Sequence, residues 1–552
     1  MKLKTIFAML FAAVSSIAMA QQNSVLDTQM RKMVFAQGAI SQLYVDEVDI
    51  EKLTEEALKG MLKELDPHSS YTPAKEVQAL NEPLTGSFEG IGVQYNMNED
   101  TLVVIQPVSN GPSEKVGIIA GDKIITVNDS SIAGQKFTNE EIKKRLRGPH
   151  GTKVKLGVMR QGVKGLQTFI VTRDKIPVYT IDAYYMIDAN TGYVRIGSFG
   201  ATTHDEFKKA CEQLFAWGMK DLVIDLQGNG GGYLQAAVEM ADEFLSDNEM
   251  LVYTEGRTTG RHEYRAHAGK MNINKVVVLV DGYTASAAEI LSGAIQDNDR
   301  GVIVGRRTFA KGLVQRPVDL PDGSLIRLTV AHYYSPVGRC FQKPYTKGDK
   351  KSYDRDMLDR LNSGELMNAD SIHFPDSLKF TTKGGRIVYG GGGIMPDVYV
   401  PLDTMAYTRL HRELSAKSCI IQTTLKYIDI NRKSLSKQYE VDVYRKAKAK
   451  QADNKSYKAE DLRRGFERFK SEFEVPQGMI DILLSKAKDA KIEYTDSMLQ
   501  ASLPMVKMQL KALVARDLWD MSEYYEIMNP LNEIYKKGLE ALKDEEIFSG
   551  IK

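Results

Sequence analysis

Cysteine is scarce in this 552-residue chain: Cys211, Cys340 and Cys419 stand far apart, and none belongs to a C-x-x-C pair. That usage argues against a structural zinc site and allows at most one disulfide, so the three thiols are expected as small buried hydrophobes. An excess of one charge is also missing. The 73 Lys and Arg residues nearly balance 72 Asp and Glu, and a net charge of +1 gives no reason to expect nucleic acid or a strongly charged partner. No stretch beyond residue 20 is long and apolar enough to span a bilayer. The glycine cluster Gly228-Asn229-Gly230-Gly231-Gly232 lacks both the G-x-x-x-x-G-K-[ST] and the G-x-G-x-x-G patterns, which removes the nucleotide readings. What remains is ordinary globular composition over a length that allows several domains.

Residues 1–20 read as an export signal, with Lys2 and Lys4, an apolar core from Ile6 to Ile17, and Ala18-Met19-Ala20 before Gln21. Cleavage after Ala20 leaves an exported protein, periplasmic by expectation, with secreted or envelope-associated fates as the alternatives. No integral membrane segment then remains.

The chemistry concentrates in residues 275–315. Val276-Val277-Val278-Leu279-Val280 is an unbroken apolar run of the kind a strand buried on both faces has. Asp281-Gly282-Tyr283-Thr284 makes a turn, and Ser286-Ala287-Ala288-Glu289 starts a helix rich in Ala, Ile and Leu. A serine there sits at the positive end of a helix dipole, beside free N–H groups able to bind an oxyanion formed by its attack on a carbonyl. Serine needs a base, and Lys311, 25 residues on, is the candidate. A solvated lysine has a pKa of about 10.4, so roughly one in a thousand is neutral near neutral pH. Desolvation lowers that value, and Phe309, Leu313 and Val314 are expected to supply the apolar wall. Gln315 would lie one helical turn beyond Lys311 if the segment is helical, placed to orient the amine. On residue types alone, a structural serine and a surface lysine in an α/β sheet are the favoured reading.

The stretch closely resembles the signature of the C-terminal processing (tail-specific) serine proteases, whose Ser/Lys dyad and supporting Gln fall on Ser286, Lys311 and Gln315. Ala310 departs from the Gly many members carry. Asp225-Leu226-Gln227-Gly228-Asn229-Gly230-Gly231-Gly232 resembles the family's D-L-R-x-N-x-G-G element, with Gln227 for Arg, which puts any ion pair of that Arg in doubt. The resemblance implies an oxyanion hole made by the N–H groups of Ala287 and either Gly231 or Gly232. Tyr333-Tyr334-Ser335-Pro336-Val337-Gly338-Arg339 and Ile394-Met395-Pro396-Asp397 also match.

Residues 84–175 resemble a PDZ domain. Phe88-Glu89-Gly90-Ile91-Gly92-Val93 corresponds to the loop that faces a terminal carboxylate with its N–H groups, and Gly121-Asp122-Lys123-Ile124-Ile125-Thr126-Val127-Asn128 to the G-D-x-I-x-x-(I/V)-N segment. The implied substrate-binding residues are Phe88, Gly90, Ile91, Gly92 and Val93, docking a protein's free C-terminus by strand addition. Arg147 is a candidate contact to the protease core.

The expected architecture is multidomain α/β: signal 1–20, a helical region 21–83, PDZ 84–175, a protease core 176–403 that the resemblance makes crotonase-like, and a charged helical extension 404–552. Leu53, Ala57, Leu58, Met61, Leu62 and Leu65 keep helical spacing before Asp66-Pro67, and His68 reads as a turn residue rather than a catalytic one. Thr203-x-x-Glu206 predicts a capping box, and residues 345–385 a surface insertion. In the extension, Val506, Leu510, Leu513 and Val514 form an apolar face expected to pack within the chain, with a homodimer interface or adaptor site as the other readings. The implied activity is an exported endopeptidase acting on proteins or peptides with free C-termini, without metal or cofactor. Two rivals are a serine protease using His332 as base and a non-catalytic PDZ scaffold.

Overall fold

The computed structural model describes residues 25–551 apart from 99, 109, 110, 268, 270, 404–406, 453–457 and 550. The export signal lies outside the described residues. The chain divides into two compact units. One comprises residues up to Val77 with Gln315–Thr329 and Tyr345–Tyr353, and the other comprises the remainder.

In the first unit, the helix Ile50–Lys63 begins where the Asp49 carboxylate accepts the Lys52 N–H at 3.0 Å. Pro67 cannot continue a helix, and the Asp66 carboxylate organises the turn by accepting the N–H groups of His68 (2.8 Å) and Ser69 (2.9 Å) and the Ser69 hydroxyl. Burial opposes the Asp66 charge, yet these bonds hold its pKa below the ordinary carboxylate value. Strand Ser70–Thr72 then pairs antiparallel with Leu325–Arg327. The His68 ring meets the Tyr353 hydroxyl at 2.9 Å, consistent with a turn histidine.

The PDZ part of the second unit is a sheet of Val93–Asn98, Thr101–Pro107, Lys123–Val127, Lys153–Met159 and Gln167–Thr172 in that spatial order. Its core gathers Leu102, Val104, Ile118, Ile124, Ile142, Leu156 and Val171. Val93–Asn98 forms one edge of the sheet.

The part expected to be the protease core is built on six strands whose spatial order follows the chain: β1 Ile181–Met186, β2 Thr191–Ile196, β3 Asp221–Asp225, β4 Val276–Val280, β5 Val302–Gly305 and β6 Val398–Tyr399. β1 is antiparallel to β2, and the others run parallel. One face packs on helices including α1 (Ala287–Asp297), every residue of which is buried. The other face is covered by the C-terminal extension. Its helices first build their own core around Phe466, Phe469, Met479, Leu483, Val506, Leu510 and Trp519. The chain then returns, and α2 (Glu533–Lys543) lays Ile534, Tyr535, Ala541 and Leu542 against Val277, Leu279, Val302 and Val304. Each such large apolar side chain contributes on the order of 1.5–3 kcal/mol. The packing within the chain expected of the extension is therefore present.

Three expectations need correction. The helix Thr203–Ala216 does not close a Thr203/Glu206 box; Glu206 instead accepts the Thr202 hydroxyl and the N–H groups of Thr180 and Ile181, tying the helix to the start of β1. Residues 345–385 are not a surface insertion throughout, since Tyr353, Arg360 and Glu365 are buried. Gln315 lies on an extended strand, Leu313–Asp319, so the one-turn geometry behind Lys311 does not apply. The cysteines are unpaired, with Cys211 and Cys419 buried and Cys340 half-buried.

Candidate active site

All five residues of β4 are fully buried, which is why the run carries no polar position. Leaving the sheet, Asp281 folds the turn through its Oδ1, which accepts the N–H of Tyr283 (2.9 Å) and, from the glycine loop after β3, that of Gly228 (3.0 Å). The Thr284 hydroxyl donates to the Leu226 carbonyl at 2.8 Å. Turn and glycine loop are thus one construction.

Ser286 follows at the N-cap of α1, with φ 58° and ψ −118°. A non-glycine residue held there stores about 1–3 kcal/mol and persists only if its surroundings over-determine it. They do so chiefly through Glu289, a residue fully buried on the first turn of α1. Its Oε2 accepts the Ser286 N–H at 2.8 Å and the Lys311 N–H at 2.8 Å. Its Oε1 accepts the Ala310 N–H at 2.8 Å and the Thr308 hydroxyl. One oxygen shared by two bonds puts the backbone nitrogens of Ser286 and Lys311 no further apart than twice 2.8 Å. Burial pushes the Glu289 pKa above the ordinary carboxylate range, against the four donors that favour the anion.

The lysine loop is held from its other side too. Ala310 has φ 74°, a region glycine enters freely and alanine does not, which accounts for glycine being usual there. Arg360, from the segment expected to be a surface insertion, donates to the carbonyls of Arg307 (3.2 Å) and Thr308 (2.8 Å). Lys311 is half-buried and Leu313 is fully buried. Gln315 belongs to the other unit, where its amide donates to the His68 carbonyl at 2.6 Å. His332 sits on the strand Leu325–Tyr334, opposite Glu255.

Gly231 lies against Ser286: a Cβ there would come within 2.7 Å of the Ala285 carbonyl, 2.8 Å of Ser286 Cβ and 2.9 Å of the Ala287 nitrogen. Its φ of 95° also demands glycine. Its N–H donates to Asn229 Oδ1 at 2.8 Å. Gly232 is as confined, since its Cβ would fall 2.0 Å from the Phe199 carbonyl oxygen. Asp225 has its ion pair from β2 rather than from position 227. Arg195 stands opposite Asp225 in the parallel register, binds its Oδ2 at 2.6 Å and donates to the Gln227 carbonyl at 2.7 Å. Burial works against the Arg195 charge, but Asp225 keeps its pKa above the ordinary guanidinium value.

In the PDZ part, Gly92 (φ 70°) and Val93 stand at the start of the edge strand. Ile91 is in the PDZ core. Phe88 and Gly90 belong to a short strand paired with Asp174–Pro177. The Arg147 guanidinium lies over the Phe88 ring at 4.4 Å and pairs with Glu82.

Sequence reasoning missed Glu289, Arg195 and Arg360. Only Glu289 had a local signal, the S-x-x-E spacing of a capping box over Ser286-Ala287-Ala288-Glu289.

Comparison with known proteins finds the peptidase family S41 over residues 190–352, a PDZ domain over 90–169, the N-terminal domain of the activating protease CtpB over 9–76, and a family of unknown function over 443–520. The chain is 34% identical over 352 residues to the carboxy-terminal processing protease CtpB of Bacillus subtilis, covering 63% of this chain and 72% of that one. It is likewise 34% identical over 339 residues to CtpA of the same organism, covering 61% of this chain and 72% of that one. A carboxy-terminal-processing protease of Bartonella bacilliformis is 34% identical over 352 residues, with 61% of this chain and 80% of that one covered.

Proposed function

Because the chain belongs to the carboxy-terminal processing serine proteases of peptidase family S41 and carries their PDZ domain, we propose that it is an exported endopeptidase in which Ser286 and Lys311 form the catalytic dyad and the PDZ domain holds the substrate's free C-terminus. The observation that carries this reading is the single Glu289 oxygen bonded to the N–H groups of both residues. That shared oxygen brings the backbones of the two residues together, as a Ser/Lys dyad requires.

Ser286 Oγ attacks the scissile carbonyl while neutral Lys311 Nζ takes its proton. The carbonyl carbon becomes tetrahedral, and its oxyanion is received by the Ala287 N–H and an N–H of Gly231 or Gly232. Recruiting Gly231 requires its present bond to Asn229 to yield. Protonated Lys311 then passes the proton to the leaving amine, and the acyl-enzyme is hydrolysed by a water that the same lysine deprotonates. The resemblance gives Gln315 the supporting role, and its amide is bonded to the His68 carbonyl. The chemistry needs no metal or cofactor.

A tail bound as an added strand would extend the PDZ sheet at Val93–Asn98, with its carboxylate at the Phe88–Val93 loop. Among the described residues no helix is long and apolar enough to cross a membrane.

The test is cleavage of an unstructured protein ending in apolar residues, by wild type and Ser286→Ala, with and without C-terminal amidation. Cleavage by wild type alone, slowed by amidation, supports both roles. Binding of the tail by both proteins with cleavage by neither leaves a PDZ scaffold.

A further inference from the structure

Asn532, which opens α2 in the C-terminal extension, reaches the glycine loop that closes over Ser286. Its Nδ2 donates to Gln227 Oε1 at 3.0 Å. Both amides are oriented by their other bonds. Asn532 Oδ1 is the N-cap of α2, accepting the N–H groups of Ile534 (2.9 Å) and Tyr535 (3.2 Å), which leaves its NH₂ facing the loop. The Gln227 Nε2 donates to Asp225 Oδ1 at 3.1 Å, which turns its oxygen outward to Asn532. Gln227 is 9% exposed, so water competes poorly for this bond.

The helix that carries Asn532 is fixed to the strand that carries the nucleophile. Ile534 and Tyr535 are buried against Val277 and Leu279 of β4. At Gly538 the approach is close enough that a Cβ would come within 2.6 Å of Leu279 Cδ2. A second contact from the extension supports the same loop: the Tyr525 ring covers the Arg195 guanidinium at 4.7 Å, and Arg195 holds both the Asp225 carboxylate and the Gln227 carbonyl. Four residues past Gln227, Gly231 touches Ser286 and Ala287.

We propose that Asn532 is a positioning residue for the oxyanion loop, so that the C-terminal extension completes the active site through the Asn532–Gln227 bond. This rests on the peptidase reading. The bond joins the loop to the extension, so its loss should misplace the oxyanion donors without weakening peptide binding.

Asn532→Ser tests this in the full-length protein, because serine still caps α2 but is too short to reach Gln227. Gln227→Leu breaks the bond from the other end and leaves the cap alone. Each is expected to lower kcat about five-fold, the equivalent of one neutral hydrogen bond, with KM unchanged; the melting temperature should fall slightly for Asn532→Ser and further for Gln227→Leu, which also removes the bond to Asp225. In the Gln227→Leu background, Asn532→Ser should cost nothing more. An unchanged kcat in either single variant overturns the proposal. So does a loss that moves KM and melting temperature together and persists in the double variant, since that is a folding effect. Lack of Ser286-dependent cleavage in the wild type overturns the peptidase reading and this proposal with it; Ser286-dependent cleavage insensitive to Asn532 overturns this proposal alone.

Discussion

Replacing Glu289 by glutamine and by alanine separates the two pairs of bonds that its carboxylate makes. Glutamine is nearly isosteric but has one acceptor oxygen. If its NH₂ faced Ser286 and Lys311, two backbone donors would oppose it, neither able to turn away. Facing Thr308 and Ala310 is less costly, because the Thr308 hydroxyl can rotate and accept, leaving only the Ala310 N–H unpaired. Glutamine should therefore keep its oxygen on Ser286 and Lys311. One buried N–H without a partner costs about 1–3 kcal/mol, partly offset by relief of the burial that raises the Glu289 pKa. Alanine strands all four donors and opens a cavity, so the loss should exceed about 4 kcal/mol and turnover should vanish. Denaturant unfolding read beside peptide hydrolysis checks the order wild type, then Glu289→Gln with measurable activity, then Glu289→Ala with none. Equal stability and turnover in all three would refute the claim that this carboxylate assembles the dyad.

Other consequences follow from the same geometry. Ser286→Gly and Ser286→Ala should both be inactive, but the glycine variant should be the more stable by about 1–3 kcal/mol in thermal melts, because it relieves the positive φ at that position. Equal melting would mean that no strain is stored there. Gly231→Ala should lower turnover about 10²-fold while leaving tail-peptide binding intact in a fluorescence titration, since its Cβ collides with the backbone beside Ser286. In the helical extension, burial and the nearby Asp520 raise the Glu523 pKa to about 7. A raised carboxylate pKa means that the folded state holds the proton more tightly, so this group's contribution is most favourable below its unfolded pKa near 4.5 and is lost as pH rises toward 7. Glu523→Gln should accordingly raise the melting temperature at pH 8 and change it little at pH 4.5; a gain of equal size at both would contradict that assignment.

The parts of the site that were legible in the sequence are those made by short stretches of chain. Val276–Val280 announced a doubly covered strand because no position in it can be polar, and the turn to Ser286 follows directly from that strand. Matched motifs also carried physical content that their residue types alone do not disclose. Asp397 fixes the end of the lysine-bearing crossover by accepting the Ile303 N–H at 2.8 Å, and Arg339 is buried against Asp297 at the end of α1. What was not legible depends on pairings between distant segments. Arg195 supports the loop after β3 only because the parallel register of β2 and β3 sets it opposite Asp225. Arg360 comes from a polar stretch that looks solvated until its guanidinium is seen on the carbonyls before Lys311. The capping pattern at Thr203 failed for a similar reason, because Glu206 found better donors on a neighbouring strand. The extension was legible as helices but not as a cover for the sheet, since α2's amphipathic face does not say which surface it meets.

The central claim is that Lys311 is the base for Ser286, and the most direct measurement is single-turnover peptide cleavage by Lys311→Ala and His332→Ala at matched folded concentration. The dyad predicts no cleavage from the lysine variant and wild-type rates from the histidine variant. Cleavage that survives in Lys311→Ala and disappears in His332→Ala would contradict it and hand the role of base to the histidine.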